Sequence, residues 1–163
     1  MATSQDNRAP GAHGRLFAQQ SELLFEVPPR ALPRRELGEF ARTLQEQVAG
    51  GRPFCCLIAG DEELRRLNRQ FRRKDHATDV LSFPSERGAV PLGEIAISLD
   101  RAREQAAEFG HDAAAEVRIL MLHGILHLLG MDHERDNGAM ARVEKRWRKR
   151  LGLPSALTER VRA

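Results

Sequence analysis

Three histidines in one short stretch constrain this chain more than any other feature of its sequence. The stretch His123–His133 reads HGILHLLGMDH and continues an apolar segment. If that segment is helical, His123 and His127 lie one turn apart on the same face, because 3.6 residues per turn place position i+4 beside position i. Gly130 can then end the helix in a left-handed conformation and let the chain bring His133 toward the other two. Three imidazoles in this arrangement are typical of a catalytic zinc site, which keeps a fourth position for water or substrate.

The spacing also distinguishes a metal site from its alternatives. A single histidine is more often a packed or solvated residue than a ligand, but three at this spacing, with the glycine, favour metal binding. The zinc-peptidase pattern H-E-x-x-H-x-x-G-x-x-H has the same spacing, and its second residue is the glutamate that acts as general base. Gly124 occupies that position here. We therefore expect the ligand geometry without the peptidase base, which disfavours peptide hydrolysis and favours another chemistry.

Two further blocks accompany the histidines and suggest a family. They are Leu67–Glu86, LNRQFRRKDHATDVLSFPSE, and Leu92–Ser98, LGEIAIS. In this order the three blocks resemble the bacterial YbeY family of metal-dependent endoribonucleases. The resemblance covers Glu62 to Leu151 with specific motifs, and the segment from Leu23 onward more loosely. It implies an enzyme that cleaves phosphodiester bonds of single-stranded ribosomal RNA, acting in 16S rRNA 3′-end processing and in ribosome quality control.

Roles for individual residues follow from the spacing and from the resemblance. By spacing, His123, His127 and His133 would hold one divalent metal ion, with zinc the expected metal. By resemblance, Arg72 matches the arginine that the family places near the metal, where a guanidinium can bind two phosphate oxygens. Asp132 is a candidate for orienting a histidine, with capping of the turn as the alternative. Since the motif holds no obvious general base, metal-activated hydroxide is the candidate nucleophile and attack by the RNA 2′-hydroxyl stays open.

Length, charge and hydropathy indicate what kind of protein carries out this chemistry. The 163 residues suit one domain with a single core, carry a net charge of +3 and include no apolar run of about 18 residues that could span a membrane. A mildly basic chain suits a polyanion, and with the resemblance the expected partners are ribosomal RNA and small-subunit assembly components, without DNA or a membrane. No apolar signal-peptide core follows the amino terminus, which favours a cytoplasmic protein. The adjacent Cys55 and Cys56 would point to opposite faces of a strand and stay reduced.

The pattern of apolar residues predicts an α/β fold. Short apolar runs indicate strands at residues 23–27, 53–59, 80–83 and 92–99, and helical spacing indicates helices at residues 34–48, 62–71, 100–109, 113–129 and 137–151. We expect a single domain with a mixed sheet of about four strands packed with about five helices, and a zincin-like three-histidine metal site at a helix end. The 53–59 run should lie centrally in the sheet, because it is apolar on both faces. Residues 1–21 predict a disordered tail, which leaves residues 22–163 as the domain.

Basic helices support a second hypothesis. On the 62–71 helix Arg65, Arg69 and Arg72 follow one another on one face, although for Arg65 and Arg69 a solvated helix surface is the favoured interpretation. The last helix should direct its apolar residues inward, namely Met140, Val143, Trp147 and Leu151. Its basic residues should lie on the remaining surface, namely Arg142, Lys145, Arg146, Arg148, Lys149 and Arg150. The alternative to an enzyme is therefore a non-catalytic ribosome-assembly or RNA-binding factor whose metal is structural.

Overall fold

The computed structural model of the chain describes residues 19–132 and 134–154. Within these ranges four strands and five helices follow one another as β1 (Glu22–Phe25), α1 (Arg34–Gln47), β2 (Phe54–Ala59), α2 (Asp61–Arg72), β3 (Val80–Pro84), β4 (Gly93–Ser98), α3 (Leu99–Phe109), α4 (Ala113–Leu128) and α5 (Ala139–Leu151). This order confirms the predicted single α/β domain. No helix in the described part of the chain is long and apolar enough to cross a membrane.

The four strands form one mixed sheet in the order β1, β2, β4, β3. β1, β2 and β4 are parallel to one another. β3 runs antiparallel to β4, in a register from Val80 opposite Ile97 to Pro84 opposite Gly93. β2 is an interior strand with a partner on each side, as the continuous apolar character of residues 53–59 predicts.

Alternate residues of the sheet face two separate cores. On one face, Cys56, Ile58, Ile95 and Ile97 pack with buried residues of α1, α3, α4 and α5. On the other face, α2 covers a smaller set, namely Leu57, Ala59, Leu81 and Ala96. This alternation is the period of two that side chains follow along a strand. Because the Cys56 thiol lies wholly inside the larger core, burial raises its pKa and keeps it protonated, in agreement with the predicted reduced state.

The helix that carries the first two histidines, α4, is the central helix of the larger core. Asp112 caps its amino terminus by accepting a hydrogen bond from the backbone amide of Ala115 at 2.7 Å. Side chains on different faces of α4 are fully buried, including Ile119, Leu122 and Ile125. A helix that is apolar on all sides belongs inside a core. The histidines of α4 are therefore held on an element that packing fixes in place.

The residues that α5 buries differ from those predicted for the last helix. Met140 is buried as expected, but the other buried residues of α5 are Glu144 and Arg148, whereas Trp147 is only half-buried. These three buried positions are four residues apart and share one helix face. Apolar periodicity could not assign that face to the core, because two of its three residues are charged. The prediction that Arg148 lies on the outer surface is therefore wrong.

Hydrogen bonds attach the beginning of the described chain to the domain. The Ser21 hydroxyl donates to Gln45 Oε1 at 2.8 Å and accepts from the backbone amide of Phe54 at 3.0 Å. The Gln45 side-chain amide donates to the carbonyl of Gln19 at 3.0 Å. Residues 1–18, which make up most of the predicted tail, lie outside the described ranges, and their disorder stays a prediction.

Candidate metal centre

His123 and His127 meet in the structure as their spacing predicts. Their Nε2 atoms are 3.1 Å apart, and the two ring planes are nearly perpendicular, at 78°. His123 is buried, with 5% of its surface exposed, and His127 is half-buried. Two ring nitrogens on one helix thus face a common point beneath the surface.

The other ring nitrogen of each histidine is held by an acceptor. Nδ1 of His123 lies 3.0 Å from Glu144 Oε1, and Nδ1 of His127 lies 2.9 Å from the carbonyl oxygen of Met131. A carbonyl and an ionised carboxylate accept hydrogen bonds, so Nδ1 is the donor in both contacts. These two hydrogen bonds hold the rings so that their Nε2 atoms face each other.

A glycine turn at the end of α4 supplies one of these acceptors. Gly130 has a φ of +93°, and its amide donates to the carbonyl of His127 at 2.9 Å. The amide of Met131 donates to the carbonyl of Leu126 at 3.1 Å, which completes the hydrogen-bond pattern of a Schellman motif. The predicted left-handed ending of the helix is confirmed, and the same turn delivers the Met131 carbonyl to His127. His133, the predicted third ligand, falls in the gap between the described ranges.

The two imidazoles fit a divalent cation in spacing. At a zinc–nitrogen distance of about 2.0–2.1 Å, two nitrogens of a tetrahedral site are roughly 3.3–3.4 Å apart, close to the observed separation of 3.1 Å. Glu144, which has no exposed surface, places a carboxylate behind His123. A carboxylate that holds the second nitrogen of a histidine in this way is typical of metal-ligating histidines.

Two of the three predicted ligands, His123 and His127, lie in the described part of the chain. Within residues 19–132 and 134–154, no three histidine, cysteine or acidic side chains converge as a metal-ligand group. The predicted group has two of its members in these ranges and its third, His133, outside them. The three-histidine set therefore stays a prediction, while the geometry of His123 and His127 agrees with it.

Gly124 has a steric role that explains why no glutamate stands there. A Cβ atom added at Gly124 would lie 2.9 Å from Ile95 Cγ2, closer than real Cβ contacts come. α4 therefore packs against β4 at a distance that requires glycine. A glutamate at this position would push the helix away from the sheet, so the peptidase base is incompatible with this packing.

Arg72 lies one strand away from the histidine helix. It is exposed at the end of α2, and its Nη2 donates to the carbonyl of Ser82 at 3.3 Å. The Ser82 hydroxyl donates to the carbonyl of Gly124, next to His123 in sequence, at 3.2 Å. The rings of Phe71 and Phe83 pack edge to face at a centroid distance of 5.3 Å and join α2 to β3. β3 thus connects Arg72 to the histidine helix.

Asp132, the remaining polar candidate, has a structural contact. Its Oδ1 accepts a hydrogen bond from the amide of Glu134 at 3.1 Å, which is the capping role left open by the sequence. Two other polar residues between α2 and β3 also lie outside the site: Asp79 accepts from the amide of Val80 and from the side chain of Gln105, and His76 is exposed. None of these contacts involves His123 or His127.

Glu144 is the residue of the site that sequence reasoning missed. It follows His123 by 21 residues and is separated from it by the turn after α4, so no local motif connects the two. A signal did exist, since Glu144 is four residues after Met140 and therefore shares its buried face. An acidic residue at a core position of a helix needs a buried partner, and His123 is that partner.

Two arginines on the cationic face of α2 share one neighbouring carboxylate, that of Asp75. Arg65 Nε lies 2.9 Å from Asp75 Oδ1, and Arg69 Nη1 lies 3.9 Å from the same oxygen. The hydrogen bond from Arg65 holds the pKa of Asp75 below the usual aspartate range. Arg65 and Arg69 therefore behave as a solvated helix surface, the simpler of the two interpretations of this face.

The fold and the site together define a class: a single α/β domain whose buried central helix presents two imidazoles with facing Nε2 atoms and a buried carboxylate behind one of them. The chain belongs to the Endoribonuclease YbeY family, whose family model matches residues 35–152.

Individual relatives agree with this assignment. A Solibacter usitatus protein named Endoribonuclease YbeY is 61% identical over 143 residues, which cover 88% of this chain and 96% of the relative. A protein of the same name from Nautilia profundicola is 55% identical over 105 residues, covering 64% and 76%. The solution structure of TM1509 from Thermotoga maritima is 30% identical and superimposes with a TM-score of 0.56 over 78% of this chain and 85% of that one.

Proposed function

We propose that this chain is a metal-dependent endoribonuclease in which His123, His127 and His133 hold one divalent cation, with zinc as the expected metal. The observation that carries the proposal is the pair of Nε2 atoms of His123 and His127, aimed at one point by acceptors on both Nδ1 atoms. Relatives that cover most of the chain are named endoribonucleases. The substrate we infer is single-stranded ribosomal RNA, in 16S rRNA 3′-end processing and ribosome quality control, with small-subunit assembly components as cytoplasmic partners.

The protein side chains prepare the site before substrate arrives. Glu144 and the Met131 carbonyl fix the tautomer and direction of the two rings, so the ligand nitrogens need not reorganise. A divalent cation bound there would supply concentrated positive charge that polarises a phosphoryl oxygen and lowers the pKa of coordinated water. The buried position of His123 in the core limits how far the ring can move.

Arg72 would bind the phosphate that is being cleaved. Its guanidinium is exposed and uses one nitrogen on the Ser82 carbonyl, so other N–H groups can donate to two phosphate oxygens. The Ser82 contact with Gly124 positions this guanidinium relative to α4. A planar cation that donates two parallel hydrogen bonds stabilises negative charge on a phosphate better than a lysine does.

The test compares RNA cleavage and metal content in three variants. His127→Ala should lose both the metal and cleavage of a single-stranded RNA. Arg72→Ala should keep the metal and lower kcat roughly 10²–10³-fold, the loss typical of a group that stabilises transition-state charge. Arg69→Ala is the matched control, because it removes an exposed arginine of the same helix that is engaged with Asp75.

Two results would contradict the proposal. One is a metal-loaded wild-type chain that binds ribosomal RNA and cleaves none. The other is metal removal that unfolds the chain while His127→Ala leaves cleavage unchanged. RNA binding without cleavage, together with unfolding of the chain when a chelator removes the metal, would favour the ribosome-assembly factor with a structural metal.

A further inference from the structure

The outer side of α5 consists of basic residues. Every exposed residue of this helix is a lysine or an arginine, namely Arg142, Lys145, Arg146, Lys149 and Arg150. The acidic residue of α5, Glu144, is buried on the opposite face against His123. The exposed side therefore carries five positive charges over 13 residues without an intervening negative one.

These charges differ from those of α2 in their partners. On α2, Arg65 and Arg66 pair with carboxylates at 2.9 and 2.6 Å. On α5, among residues that the structure describes, no carboxylate lies within ion-pair distance of Arg142, Arg146 or Lys149. Arg142 donates instead to the carbonyl of Asn137 at 3.3 Å. The positive charges of Arg142, Arg146 and Lys149 are therefore available to an external anion, whereas Arg65 and Arg66 of α2 each have a carboxylate partner.

The basic side chains border a shallow groove. It is lined by Ala139, Arg142, Val143, Lys145, Arg146 and Lys149, so its floor is apolar and its rim is cationic. Arg142 and Lys149 are seven residues apart, which is about 10 Å along the helix axis. Successive phosphates of a stacked strand rise about 3.4 Å each, so this length spans roughly three of them. Regularly spaced cations over a short apolar floor suit a sugar–phosphate backbone.

The groove and the candidate metal centre lie on opposite sides of the same helix. Glu144 hydrogen bonds to His123 on the buried side of α5, and the basic residues lie on its exposed side. α5 therefore contacts the imidazole pair with one side and presents its cations to solvent with the other.

We propose that the α5 groove binds the backbone of the RNA substrate, through its phosphates and without reading bases. This inference rests on the proposed function, since it takes RNA as the substrate. Phosphate contacts of this kind fix the position of a strand and give affinity that falls with salt. The groove would hold the substrate, and its loss should raise KM while kcat stays near the wild-type value.

The test measures the binding of a labelled single-stranded RNA of about 20 nucleotides as a function of salt. In the first variant, Arg142, Arg146 and Lys149 are changed together to glutamine. In the matched control, Arg35, Arg42 and Arg103 are changed together to glutamine, which removes the same charge from exposed positions of α1 and α3. Circular dichroism checks the fold of both, and a denaturing gel confirms that the RNA stays intact during each titration.

Loss of three phosphate contacts should reduce the slope of log affinity against log salt by about 2, since each contact contributes about 0.7 for a single strand. Near 0.1 M salt this corresponds to binding about a hundredfold weaker, while the control should change binding less than about threefold. Equal losses of RNA affinity in the α5 variant and the control variant would refute RNA binding by the α5 groove. An α5 variant with wild-type RNA affinity would also refute it. That second result includes an α5 variant that loses binding only to vesicles containing phosphatidylserine.

The same measurements separate this inference from the proposed function. If the wild-type chain cleaves RNA while the α5 variant keeps wild-type RNA affinity, RNA binding by the α5 groove is refuted and the proposed endoribonuclease function is supported. If RNA affinity depends on α5 but the wild-type chain cleaves no RNA, RNA binding by the groove is supported and the endoribonuclease function is refuted.

Discussion

Replacing Glu144 with glutamine should weaken metal binding without destabilising the metal-free chain. The substitution keeps the size of the side chain and an oxygen that can accept from His123 Nδ1, but it removes a buried negative charge. Carboxylates that hold a metal-ligating histidine typically contribute 10–100-fold to metal affinity. We therefore expect zinc to bind 10–100-fold more weakly, which corresponds to about 1.4–2.7 kcal/mol.

The stability of the metal-free chain should respond differently. One oxygen of Glu144 accepts from His123, and the other is buried with no hydrogen-bond partner among the described residues. A neutral amide costs less to bury than a carboxylate, and this gain offsets the weaker hydrogen bond. The free energy of unfolding without metal should therefore change by less than about 1 kcal/mol.

The assay is a zinc competition titration against a chelator of known affinity, paired with denaturant unfolding in excess chelator. Glu108→Gln is the matched control, because it removes an exposed carboxylate from α3. Zinc affinity unchanged by Glu144→Gln would refute the assigned role of the carboxylate. An equal loss of stability with and without metal would show that Glu144 acts on the fold and not on the ligand.

Two further predictions concern packing and pH. Gly124→Ala should lower the free energy of unfolding by about 1–3 kcal/mol, because its Cβ would overlap Ile95 in the core, and chemical denaturation measures the loss. The side-chain carboxyl of Asp75 should titrate below the usual aspartate value by NMR, and return toward it in Arg65→Gln. Because the pKa of Asp75 is lowered in the folded state, its pairing with Arg65 stabilises the fold at pH values above the ordinary aspartate pKa. This contribution is lost as the pH falls through the lowered pKa. An Asp75 that titrates at the ordinary aspartate value in the wild-type chain would refute the pairing.

Much of the fold could be predicted because local signals and packing agree. The continuous apolar run at 53–59 became the interior strand β2, and the order of strands and helices followed from short apolar runs and helical spacing. Asp112 caps the amino terminus of α4 and Gly130 ends the helix, as their residue types predict. The meeting of His123 and His127 needed nothing beyond helix geometry.

The remaining features depend on contacts between distant segments, which sequence spacing does not encode. Glu144 joins the site because α5 folds back on α4, and Arg148 is buried on the same face although its charge predicts a surface position. The pairing of Arg65 with Asp75 depends on the loop after α2 returning to that helix. Charge pattern alone therefore could not separate Arg65 of α2, which has a carboxylate partner, from Arg142, Arg146 and Lys149 of α5, which have none among the described residues.

The most direct test of the metal centre is a crystal structure of the zinc-loaded chain with anomalous diffraction at the zinc edge. We expect one peak about 2.0–2.1 Å from Nε2 of both His123 and His127, with His133 as the third protein ligand and the remaining position open to solvent. A peak elsewhere in the chain, or a fourth protein ligand in that open position, would contradict a catalytic metal at this site.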